Sequence, residues 1–110
     1  MFEKITKILD VTDEVTSGEG VLTNTGSEKG QVLGTGARFY LNCTGITGTS
    51  MAVDIVATVG GVDYIIGSFT DVASISSEMI ELTNVPVMLK VVYTETAITD
   101  WDCVVYCSRF

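Results

Sequence analysis

At 110 residues the chain has room for one domain built around one hydrophobic core. Its 46% hydrophobic content offers more apolar surface than a monomer of this size needs, which points to cover by a partner. Six basic against fourteen acidic residues, a net charge of -8, argue against nucleic acid or an anionic membrane as partner, and no stretch approaches the ~20 apolar residues of a membrane span.

The opening MFEKITKILDVTDE does not fit a signal peptide, because charges interrupt any apolar run; the expectation is a protein that works where it is made. Phe2 to Val11 is compatible with a first strand, although Ile5, Ile8 and Leu9 are spaced too irregularly to settle helix against strand. From Thr12 to Gly36 the composition turns to Gly, Ser, Thr, Asn and Glu, which predicts a long loop holding at most one short strand. Residues 1–36 thus read as a loop-rich N-terminal arm of the same domain, and 37–110 as its β-sandwich core.

From Ala37 the alternation is clean. Phe39, Leu41 and Cys43 share one face, with Arg38, Tyr40 and Asn42 opposite. Gly45, Gly48 and Ser50 predict a turn before a second run, Met51 to Val59, whose odd-numbered residues face inwards. Gly60-Gly61 predicts a tight hairpin into Val62 to Phe69, since a two-residue primed turn needs positive φ. Thr70 to Ser77 reads as a link, with Val72 and Ile75 free to plug the core, and Glu78 to Thr83 as a short strand ended by Asn84-Val85-Pro86. Two apolar runs follow around a loop at Thr94 to Thr99: Val87, Leu89, Val91 and Tyr93 on one face, then Trp101, Cys103, Val105 and Cys107. Apolar residues on both faces mark these as central strands or as strands meeting another subunit. Turn residues every eight to twelve positions make the chain all-β, a single-domain β-sandwich of jelly-roll or immunoglobulin-like topology.

Catalytic chemistry finds little footing. The chain has no histidine, so Ser or Cys lacks its usual base, and three cysteines alone make a poor zinc set. Cys103 and Cys107, four apart on one strand, lie roughly 13 Å apart and cannot bridge. The three cysteines therefore read as reduced core thiols. Asp100 with Asp102, or Glu78 with Glu81, could pair for acid-base work, and Asp100 and Asp102 could join a loop acid around Ca²⁺, but no motif surrounds either pair. Gly34-Thr35-Gly36 lacks the pattern of a phosphate loop. Tyr40, Tyr64, Tyr93, Trp101 and Tyr106 are spread over several strands, which favours packing over a sugar-binding platform. No enzymatic activity, cofactor or metal is expected.

The order ARFYLNCTGITGTS, MAVDIVATV, GGVDY, SFTDV and ELTNVPVMLKVVYT resembles the small β-sandwich head decoration (cement) proteins of tailed bacteriophages, over roughly Ala37 to Phe110. That resemblance implies a viral structural protein on the outer surface of a capsid, assembled in the host cytoplasm. It implies the major capsid protein as partner and a homotrimer as the form. The alternatives are another virion component, at the neck, tail or fibre base, or a carbohydrate-binding or ligand-binding module. The expected contact residues are Phe2, Ile5 and Ile8 on the N-terminal arm.

Overall fold

A computed structural model describes residues 4–26 and 35–110. Among them are seven β-strands and no helix: β1 (Lys4–Val11), β2 (Gly18–Glu19), β3 (Thr23–Asn24), β4 (Ala37–Val59), β5 (Val62–Ser68), β6 (Ser76–Leu82) and β7 (Met88–Arg109). All pairings are antiparallel, in the order β1-β7-β4-β5, with β2 and β3 also on β7 and β6 also on β4. The all-β expectation holds.

Two strands organise everything else. At about 3.3 Å per residue, a straight strand of 22 or 23 residues would run beyond 70 Å. The longest dimension of the molecule is 44 Å, so β4 and β7 must bend, and they bend together. The predicted turn at Gly45 to Ser50 and the predicted loop at Thr94 to Thr99 are corrected accordingly: both segments stay within continuous strands, paired to each other. What the glycines supply is two register shifts, between Cys43 and Gly45 and between Thr47 and Gly48. Bulges of this kind bend and twist a strand without ending its ladder. Gly48 has φ of 128°, and a Cβ there would lie 2.1 Å from the Ala97 carbonyl oxygen. Only glycine permits that approach.

The bend divides the sheet. Ala37 to Cys43 of β4 pairs with β6 and with Cys103 to Arg109 of β7, which carries β1 on its far side. Met51 to Val59 belongs to the other half, where β5 flanks β4 and the short β2 and β3 flank the start of β7. The two orders, β1-β7-β4-β6 and β2/β3-β7-β4-β5, are those of a jelly roll, which settles the topology left open above. Phe39, Leu41, Val105 and Cys107 from one half share a core cluster with Val53, Ile55, Leu89 and Val91 from the other, as a single-domain sandwich requires. Tyr93 and Trp101 meet across the bend with ring centroids 5.3 Å apart.

Other expectations divide. The Gly60-Gly61 hairpin is present, with φ of 60° and 79°. Within the 12–36 segment the described residues hold two very short strands, and its first part is tied down by Glu14 N–H to Trp101 O and Gly20 N–H to Val91 O. Val72 does plug the core, bridging to Met51, but Ile75 is corrected: it stands 70% exposed. Val59 and Val87, expected to face inwards, are corrected: both are exposed, at 51% and 45%.

Candidate functional site

The described surface offers no deep chemical pocket; its distinctive features are the lateral edges of the bent sheet. One edge is formed by β5 and β6. On β5, Tyr64 opposes Ala57 and Ile65 opposes Val56, so the two side chains point to opposite faces, and both are exposed. Ile65 is 67% exposed, and Met79 of β6 follows at 53%. Edge strands are ordinarily blunted with Lys, Pro or a bulge at the open side. The β5 sequence VDYIIGS has neither Lys nor Pro, and its single acid, Asp63, is turned back onto Thr58 (2.7 Å) and Lys90 (2.9 Å); its one interruption is a register shift that leaves Ile66 extra between Ile65 and Gly67. Between the two edge strands lies a cleft of about 400 Å³ bounded by Ile66, Leu82 and Val85.

The opposite edge is β1 with β2 and β3. It is bulged between Lys7 and Leu9 and charged, with a Lys7–Asp10 ion pair of 2.8 Å. A second cleft of about 380 Å³ runs between Ile8 to Val11 and Glu19 to Thr23. Of the three expected contact residues, Ile5 is 66% exposed on this edge, Ile8 is buried in the core cluster, and Phe2 lies outside the described residues. The structure therefore does not bring Ile5 and Ile8 to one surface.

The outer face of one half carries a row that runs across all four strands: Lys7, Tyr106, Tyr40 and Met79 are successive register partners. Tyr93 and Trp101 are buried, so the aromatic residues do not form a single platform. Among the described residues the Arg109 Nε has no hydrogen-bond partner. Arg109 is otherwise well placed: its guanidinium donates to Val85 O (2.6 Å) and Pro86 O (3.0 Å), clamping the Asn84-Val85-Pro86 interruption onto the end of β7. Burial lowers its pKa.

The acids behave as two groups. Asp100 and Asp102 do meet a loop acid, Asp13, with carboxylate oxygens all within 4.8 Å of one another. The Asp13 backbone N–H donates to Asp102 at 2.7 Å. Burial first, then the charges of Asp102 and Asp13, push the Asp100 carboxyl above its ordinary range. Glu14 goes the other way: hydrogen bonds from the Thr16 hydroxyl (3.0 Å) and backbone, and from the Tyr93 hydroxyl (3.0 Å), hold it low. Glu78 and Glu81 do not pair. Glu81 is bound to Arg38 at 2.8 Å, whereas Glu78 lies opposite Leu41 on the other face of β6. All three cysteines are buried free thiols, and burial pushes Cys103 up to about 12 and Cys107 to about 11.

No family model matches the chain, and no curated protein does. Among solved structures the fold is similar to a chain from the work described as "Bacillus endospore appendages form a novel family of disulfide-linked pili", at a TM-score of 0.56 and 21% identity, over 99% of this chain and 86% of that one. At that identity the likeness is one of fold. It nevertheless corrects the expected role: the similarity leads to an appendage protein, and the reading as a phage capsid decoration protein is withdrawn.

Proposed function

We propose that this chain is a structural subunit that polymerises through its sheet edges, one copy's β5/β6 edge docking on the β1 edge of the next. The observation that carries this reading is the apolar edge at β5, free of Lys and Pro, with Tyr64 and Ile65 both exposed. An exposed apolar strand edge is a template for a further strand. The opposite edge differs in chemistry: β1 is bulged between Lys7 and Leu9 and carries the Lys7–Asp10 ion pair, while β5 and β6 expose Tyr64, Ile65 and Met79. Two unlike surfaces on opposite sides favour a heterologous contact, and repetition of such a contact gives an open filament rather than a closed dimer. The fold likeness to a pilus subunit supports an external structural component with no catalytic duty.

The test is electron microscopy and sedimentation of purified protein carrying Ile65→Lys or Ile75→Lys. Ile65→Lys is expected to raise the concentration needed for assembly about tenfold or more, corresponding to ~1.4 kcal/mol per contact. Ile75, equally exposed but on the β5–β6 link, is the control and leaves assembly unchanged. Assembly indifferent to Ile65→Lys, or absent in the wild type, would refute the reading.

A further inference from the structure

Cys43 and Cys103 are register partners on β4 and β7, immediately before the first bulge. Both are buried members of the same core cluster. Antiparallel partners hold their Cα atoms about 4.5 or 5.5 Å apart, and both values fall inside the window of roughly 4.4–6.8 Å that a disulfide spans. Side chains of such partners stand next to each other on one face. The charge of Cys43 also adds to the burial that raises Cys103, so the two groups are electrostatically in contact. The thiols' own donations are weak: Cys43 to Gly45 O at 3.5 Å and Cys103 to Val104 O at 3.8 Å. Cys107 lies opposite Phe39, roughly 13 Å along β7 from Cys103, and has no thiol across from it.

We propose that Cys43 and Cys103 are a latent cross-strand disulfide, closed by a small disulfide oxidant such as oxidised glutathione, which staples β4 to β7 at the bend. One cysteine, as thiolate, attacks the oxidant's S–S bond, forming a mixed disulfide and releasing one glutathione thiolate. The second cysteine then attacks the protein-side sulfur, forming the Cys43–Cys103 bond and releasing the other glutathione. The oxidant gains two electrons and takes up the two cysteine protons, leaving as two thiols. Burial keeps the thiolate scarce in the folded chain, so the bond forms while the chain folds or when the bend opens locally. It closes a loop of about 60 residues and fixes the register where the two bulges would otherwise let it slip.

The experiment refolds the reduced, unfolded chain with and without oxidised glutathione, then denatures, alkylates and weighs it. Oxidised refolding is expected to lower the alkylatable thiols from three to one in a monomeric chain. Chymotryptic mapping, which separates Cys103 from Cys107 at Tyr106, should link Cys43 to Cys103 and find Cys107 alkylated. The thermal midpoint should rise by on the order of 10 °C. Cys107→Ala retains the bond, and Cys103→Ala abolishes it. Three alkylatable thiols after oxidised refolding, a bond to Cys107, or a bond between chains would overturn the proposal. The mapping is read on the wild-type chain, so a variant that misfolds does not protect it.

Discussion

The bend rests on a close pair of residues. The Ala97 carbonyl crowds Gly48 where β4 and β7 turn, and Ala97 takes φ of 51° although it carries a Cβ. An L-residue in that left-handed region costs about 1–2 kcal/mol, part of which a glycine would recover, offset by its greater freedom in the unfolded chain. Ala97→Gly is therefore expected to stabilise by about 0.5–1 kcal/mol in denaturant unfolding. Gly48→Ala should do the reverse, by about 3 kcal/mol or more, because its Cβ would meet backbone that cannot retreat. A neutral Gly48→Ala would show that the bend is not locked at this point.

Charge makes opposed predictions at two neighbouring sites. The Asp100 pKa is raised in the folded chain, so its ionised form opposes folding, and that penalty disappears as pH falls through the folded pKa. Asp100→Asn should raise the thermal midpoint at neutral pH and lose its advantage in acid. The Glu14 pKa is lowered, so its contribution is present above its unfolded pKa of about 4.3 and is lost as pH falls through the folded value. Glu14→Gln should accordingly be less stable than wild type at neutral pH and converge with it in acid. Thermal scans across pH separate the two signs.

Among the elements, the arginine clamp near the end of β7 has no carboxylate partner among the described residues and holds two backbone carbonyls. Lysine cannot reproduce a fork that reaches two adjacent carbonyls. Arg109→Lys is expected to cost about 1.5–3 kcal/mol and to expose Val85 and Pro86 to proteolysis first. Much of the strand pattern is legible in the sequence, because alternation over Ala37 to Cys43, Met51 to Ala57 and Trp101 to Cys107 reports burial directly. The continuity of β4 and β7 is not legible. Gly45, Gly48 and Ser50 carry the same local signature whether the ladder ends or merely bulges, and only the partner segment Thr94 to Thr99 decides it. Asp13 illustrates a third case: the sequence suggests Asp100 and Asp102 with some loop acid, but which acid is set by the Glu14–Trp101 hydrogen bond across the bend. The openness of β5 was likewise hidden, since an apolar run such as Val62 to Ile66 reads equally as a buried strand.

At the scale of the whole molecule, a net charge of -8 on a small domain opposes any polymer of identical copies. Edge-to-edge contact must overcome that repulsion with apolar burial at β5. The repulsion is spread over the molecule and is screened beyond about 10 Å at 0.1 M salt. Sedimentation velocity over a concentration series, at low and at high salt, tests this account most directly. Species that grow without a fixed stoichiometry, and more strongly at high salt, are the predicted result. A single monomeric species at every concentration, or a plateau at one small closed oligomer, would contradict it.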